Sequence, residues 1–118
     1  GTDGRTYPWG EDVDSTFANY GENVNDTTPV GAYPKGISPY GVYDMAGNVY
    51  EWVADWYDTN YYYSSPKANP TGPDSGDFRV LRSGSKDNDT FYLRAVSRVS
   101  EDPAFHIFLI GFRCARSP

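Results

Sequence analysis

Cysteine, histidine, basic charge and long apolar runs are all scarce in this 118-residue chain, and each scarcity excludes a class of function. The one cysteine, Cys114, cannot supply an internal disulfide framework or a cysteine-ligated zinc site. The one histidine, His106, argues against a histidine-rich metal centre. Lys and Arg number 10 against 16 Asp and Glu, a net charge of −6, so the electropositive footprint of a nucleic-acid-binding domain is missing. No apolar run approaches the ~18–20 residues of a membrane-spanning helix, and no signal-like apolar segment opens the chain. Leu, Ile, Val and Phe together fall just short of the ~20 % below which disorder is suspected.

Aromatics fill that gap. The chain carries 11 Tyr, 6 Phe and 3 Trp, whose large apolar faces with polar handles can build a core. With 12 Gly and 9 Pro, much of the length lies in turns. The composition predicts one folded, loop-rich, strand-poor domain over residues 1–118. Residues 1–40 show no periodic segment and repeated turn signals, such as Asp3-Gly4, Pro8-Trp9-Gly10 and Pro34-Lys35-Gly36. Residues 47–57 fit a helical face through Val49, Trp52, Val53 and Trp56, or a strand face through Tyr50, Trp52, Ala54 and Trp56; their length and aromatic content favour the strand. A long loop is expected over 58–77. Strand-like runs then follow at Phe78 to Ser83, Phe91 to Arg98 and Ile107 to Arg113, with Ser100-Glu101-Asp102-Pro103 as a connector. That spacing predicts an antiparallel meander, with Cys114 as a buried structural thiol.

Four motifs in order carry a resemblance. They are Tyr7-Pro8-Trp9-Gly10, Gly41-Val42-Tyr43-Asp44-Met45-Ala46-Gly47-Asn48-Val49-Tyr50-Glu51-Trp52, Arg79-Val80-Leu81-Arg82-Ser83-Gly84-Ser85, and Ile110-Gly111-Phe112-Arg113-Cys114. The chain resembles the formylglycine-generating-enzyme and sulfatase-modifying-factor family over nearly its whole length. The resemblance implies an α+β, C-type-lectin-like fold of the formylglycine-generating-enzyme type, loop-rich with short antiparallel strands. It also implies that the chain is the C-terminal part of a larger domain, whose N-terminal portion would be a partner of the residues seen here.

The family's calcium loop matches Asp44 to Glu51. Asp44 and Glu51 would give side-chain oxygens and Gly47 and Val49 backbone carbonyls to a structural calcium, an all-oxygen set suited to a hard cation. Hydrogen bonding within the turn is the other reading of these residues. A second family calcium site would fall near Asn19, Tyr20 and Asp26. The family's enzymes oxidise a substrate cysteine with a copper-binding cysteine pair located just after Gly84-Ser85. Residues Lys86 to Leu93 contain no cysteine, and Asn or Thr cannot replace a thiolate on Cu(I). The expectation is a non-enzyme; the alternatives are an enzyme-associated domain whose catalytic residues lie outside this chain, or a structural component of the cell envelope.

Between the third and fourth motifs the match fails in clusters. Leu93, Arg94, Ala95, Arg98 and Pro103 follow the family pattern, while the positions among them do not. Kept scaffold with altered positions interspersed resembles the variable proteins of diversity-generating retroelements, in which Asn codons of a template are randomised. Most of the altered residues are reachable from such codons, Lys86 and Glu101 excepted. The resemblance implies a surface of Lys86, Asp87, Asn88, Asp89, Phe91, Tyr92, Ser97, Val99, Ser100, Phe105, His106, Ile107, Phe108 and Leu109 that binds a protein or cell-surface ligand. Exposed aromatics among short polar residues suit such a patch. The alternative is that Phe105, Ile107 and Leu109 alternate into a core, which would still leave Phe108 outside it.

Overall fold

The computed structural model describes residues 3–116. A short 3-10 turn at Pro34–Gly36 precedes strand β1 (Tyr50–Trp56), a one-turn helix α1 (Tyr61–Ser64), and strands β2 (Arg79–Arg82), β3 (Val99–Glu101) and β4 (Ile110–Gly111). The strands form one small sheet in the order β3-β2-β1-β4. β1 and β2 are antiparallel, with Glu51 opposite Arg82 and Trp52 opposite Leu81, and the register shifts between Trp52 and Trp56. The Arg79 guanidinium covers this irregularity, lying 3.5 Å over the Trp56 ring and donating to the Ala54 carbonyl.

The sheet departs from the expected meander in three places. β4 pairs parallel to β1, Tyr50 opposite Ile110, so the sheet is mixed and not purely antiparallel. Residues Val99–Glu101, which include Ser100 and Glu101 of the expected connector, pair antiparallel with β2 as an edge strand. Residues 91–96, expected to be a strand, form successive turns and bends. There the Phe91 carbonyl accepts both Arg94 Nε at 3.0 Å and Ser97 Oγ at 2.6 Å, and Ser97 N donates to Arg94 O. Side-chain donors close the backbone on itself and remove it from any ladder. Cys114, expected to be buried, is exposed, because β4 ends at Gly111 and the chain leaves the sheet.

The apolar interior is small. Val80 and Leu81 are both buried in β2, so the sheet is covered on its two faces at that point. Leu93 heads the fully buried side chains and packs with Tyr7 and Ala46, with Trp9, Val13 and Tyr20 around them. Tyr7, Trp9 and Phe17 stack at centroid spacings of 5.7 and 5.6 Å.

Residues 3–49 contain almost no regular structure and are fixed by polar stitching centred on Asn48. Its Oδ1 accepts the Thr28 amide at 2.9 Å, its Nδ2 donates to the Thr28 carbonyl, and its main chain bonds to Asn19 O and Lys86 N. This requires φ +66° at Asn48 and +81° at Gly47, a left-handed pair that explains the Gly-Asn dipeptide. A Cβ on Gly47 would also meet the Asn19 carbonyl at 2.5 Å.

Candidate functional site

The expected surface begins where β2 ends. Ser83 and Gly84 both take positive φ, and Gly84 lies against the Tyr92 backbone so closely that a Cβ would sit 3.2 Å from it. This tight turn folds 86–92 back along the sheet. Ser85 is fully buried, and its amide and hydroxyl both donate to Asn88 Oδ1 at 2.8 Å. The main chain is then bonded into the body of the domain: Lys86 O accepts Glu22 N, and Asn88 O accepts Gly21 N. The backbone of this segment is therefore held, whatever side chains it carries.

Two of the expected surface residues are spent internally. Lys86 is only 7 % exposed, with Nζ 2.6 Å from Asp87 Oδ1 and over the Phe108 ring. Asn88 closes the Ser85 loop as described. Tyr92 is half-buried, edge-on to Phe91. Ser100 lies in β3 opposite Val80, and Val99 is half-buried opposite Leu81. Leu109 is half-buried, and its carbonyl accepts Tyr50 N.

The remainder face solvent, except Ser97, which is half-buried. Phe91, Phe105, Ile107 and Phe108 are 57, 43, 43 and 75 % exposed, so the alternation of 105, 107 and 109 does not produce a buried strand. Asp87, Asp89 and His106 are exposed too. Asp89 accepts the Phe91 amide at 2.9 Å, and His106 Nδ1 sits 2.9 Å from the Ala104 carbonyl. The contact of Lys86 with Phe108 brings the two ends of the altered segment together.

Beside this face lies a groove of 290 Å³ lined by Tyr57, Tyr62, Phe91, Tyr92, Arg94, Val96, Ser97 and Arg98. Only Phe91, Tyr92 and Ser97 were among the expected residues. Arg94 stacks 3.9 Å over Phe91, and Arg98 lies 4.4 Å over Tyr62 and 5.4 Å over Tyr57. Arg82 lies behind, donating to the Ala95 carbonyl; burial, reinforced by the nearby Arg98 charge, pulls its pKa down. Arg94 and Arg98 escaped notice because they match the family pattern and so read as scaffold. Tyr57 and Tyr62 come from a loop with no sequence link to the segment they face.

The sulfatase-modifying factor enzyme 1-like domain matches residues 1–118. The chain belongs to that family. It is 35 % identical over 133 residues to the formylglycine-generating enzyme of Streptomyces coelicolor, covering 98 % of this chain and 41 % of that enzyme. It is 46 % identical over 116 residues to the serine/threonine-protein kinase Pkn1 of Chlamydia trachomatis, covering 96 % of this chain and 18 % of the relative. Among solved structures, Treponema denticola variable protein 1 superposes with a TM-score of 0.71 at 31 % identity, over 92 % of this chain and 40 % of that one. The chain thus spans less than half the length of each of these relatives.

The family's calcium loop can be tested against this geometry. Here the Glu51 carboxylate is bound on both oxygens by the Arg113 guanidinium, at 2.7 Å for Nε to Oε2. The same guanidinium donates to the carbonyls of Tyr43 at 2.9 Å and Asp44 at 2.6 Å. Asp44 Oδ2 accepts the Gly31 amide at 2.8 Å, and Gly47 and Asn48 carry the left-handed turn between them. Glu51 already faces a fixed cation whose charge would repel a second one, so Asp44, Gly47, Val49 and Glu51 do not fit calcium as arranged. The other family position differs. Asn19 is 1 % exposed, its Nδ2 donates to Asp26 O at 2.9 Å, and its Oδ1 is buried without a partner. An orphaned buried oxygen is the kind of atom a hard cation satisfies.

Proposed function

We propose that this domain is a non-catalytic ligand-binding scaffold whose face over residues 86–109 varies in sequence, as in the variable protein of a diversity-generating retroelement. The observation that carries this reading is the pairing of a held backbone with free side chains. Ser85, Lys86 and Asn88 tie the main chain of 86–92 to the domain, while Phe91 on that segment, and Phe105, Ile107 and Phe108 on the less anchored segment beside it, stand in solvent where the family pattern is broken. An aromatic patch of this kind costs solubility unless it binds something. The likeness to Treponema denticola variable protein 1 supports the same reading, and the small mixed sheet with long fixed loops supports a C-type-lectin-like form. The absence of a cysteine from 86–93 supports a domain that does not perform the family's copper-dependent oxidation.

The test is to sequence the encoding locus from sibling isolates. A nearby near-copy of the 86–109 coding stretch, differing only where it carries adenine, is the expected result. An invariant locus without a second copy overturns the reading.

Two further parts of the proposal concern what surrounds the chain. Tyr40, Val42, Tyr43, Met45 and Phe112 are exposed, and their coverage by the N-terminal portion of the family domain is supported by the partial span of the relatives. A structural calcium is supported at Asn19 and not at Glu51. Chelator is expected to lower the melting temperature of the native protein, and Asn19→Ala to abolish that difference; a melting curve indifferent to chelator removes the metal.

A further inference from the structure

The groove beside the aromatic face combines two chemistries, aromatic walls and a pair of arginines. It is lined by the rings of Tyr57, Tyr62, Phe91 and Tyr92 and by Arg94 and Arg98. Among the described residues, neither guanidinium is within salt-bridge distance of a carboxylate, whereas Arg5, Lys86 and Arg113 each are. Arg82 lies close behind Arg98, with the Asp55 carboxylate near it. In a chain of net charge −6 the Arg94 and Arg98 pair is a local reversal of sign. Stacking also prepares the two arginines. A guanidinium held over a ring loses rotameric freedom before the ligand arrives, and Arg94 is further fixed by its Nε bond to the Phe91 carbonyl, which leaves its terminal nitrogens to the ligand. Edge-on N–H pairs match the two oxygens of a carboxylate.

We propose that Arg94 and Arg98 form a fixed carboxylate anchor for an acidic, aromatic-bearing segment of a partner protein. This rests on the reading of the face as a ligand-binding surface and assigns the two parts of recognition to different residues. Arg94 and Arg98 carry the charge, and Phe91, Tyr92, Val96 and Ser97 between and around them shape the wall. A volume of 290 Å³, at the lower end of ligand pockets, holds one or two side chains, which suits insertion of a peptide segment. A polyanion such as nucleic acid would meet the groove's positive charge but also the acidic remainder of the molecule, which repels it.

The probe is a fluorescein-labelled acetyl-Glu-Tyr-Glu-Tyr-Glu-amide peptide, compared by polarisation with its Gln-for-Glu isostere and with an oligothymidylate of matched length. The full chain should bind the acidic peptide at least about tenfold more tightly than the isostere, with both contacts being charge-assisted. Arg94→Gln/Arg98→Gln should erase that preference. Arg94→Lys/Arg98→Lys, which keeps the charge and removes the flat fork, should lower it several-fold and serves where the Gln variant does not fold. Equal binding of peptide and isostere, unchanged preference in the variants, or tighter binding of the oligothymidylate overturns the anchor. A varying locus with no acidic preference removes the anchor alone. An invariant locus with the preference intact removes the variable face and leaves the anchor standing.

Discussion

The segment from Ser83 to Leu93 and the segment from Ala104 to Leu109 bracket the same face but are held in opposite ways. In the first, Ser85 and Leu93 are fully buried, Asn88 bonds the Ser85 amide and hydroxyl, and main-chain bonds run to Asn48, Glu22 and Gly21. In the second, side chains 104–108 are all exposed, and the segment is joined to the sheet through Leu109 O to Tyr50 N. The first segment tolerates variation only at positions such as Asp89 and Phe91, whose side chains no buried group needs, whereas Asp87 pairs with the buried Lys86 ammonium. The second tolerates it nearly throughout. A binding face that must change its side chains without losing its shape therefore depends on the anchored half, and the free half contributes area more than geometry.

The sharpest way to break this contrast is to remove the anchors. Leu93→Ala deletes the largest fully buried side chain and should cost about 2–5 kcal/mol, a large share of a typical domain's stability. Asn48→Ala strands the Thr28 amide and places a Cβ residue without compensating bonds at φ +66°, for a loss of about 3 kcal/mol. Urea denaturation of both variants against the native protein checks this. Losses below about 1 kcal/mol in both would mean that the stitched half is not the scaffold.

The same contrast explains what could be read in advance. β1 and β2 were legible because Trp52, Trp56, Val80 and Leu81 lie in short, β-prone runs bounded by turn residues. Residues 91–96 carry similar side chains but are diverted by Arg94 and Ser97 reaching back to the Phe91 carbonyl, which no period reveals. β3 looks like a turn in sequence, since Ser100, Glu101 and Asp102 are poor strand formers; pairing with β2 makes it a strand. The motif carrying Glu51 was recognisable, yet its engagement by Arg113, 62 residues away, was not. Of the proposed binding face, the exposed aromatics are legible in the sequence and the flanking Tyr57, Tyr62, Arg94 and Arg98 are not, because the groove exists only once two distant loops meet.

Trimming the free half should do little to the fold. Phe91 loses an arginine stack and an edge contact with Tyr92, and Phe108 loses the Lys86 contact, all at exposed positions. Phe91→Ala/Phe108→Ala should lower stability by no more than about 1 kcal/mol, while weakening capture of the acidic peptide by on the order of tenfold. Tyr92 is left in place because it is half-buried against Gly84. A double variant that melts like Leu93→Ala would show that the aromatics belong to the core.

The smallest effect reports on the seam between the two regions. Tyr50 begins β1 and adjoins Tyr92, Asn88 and Asp89, so its phenol senses the sheet and the anchored segment together. Burial, chiefly, and the neighbouring Tyr92 raise its pKa above the ordinary phenol value, while a hydrogen bond with Asn88 pulls the other way. A raised folded-state pKa means stability that is complete below the unfolded value of about 10 and is lost as pH rises through the folded value. The urea midpoint should therefore fall above about pH 10, and Tyr50→Phe should flatten part of that fall. Tyr20, also raised by burial, supplies a fall that Tyr50→Phe leaves in place. Identical alkaline profiles for the native protein and Tyr50→Phe would mean that the seam is open to water. The anchored segment would then be a loop resting on the sheet, no stiffer than residues 104–109.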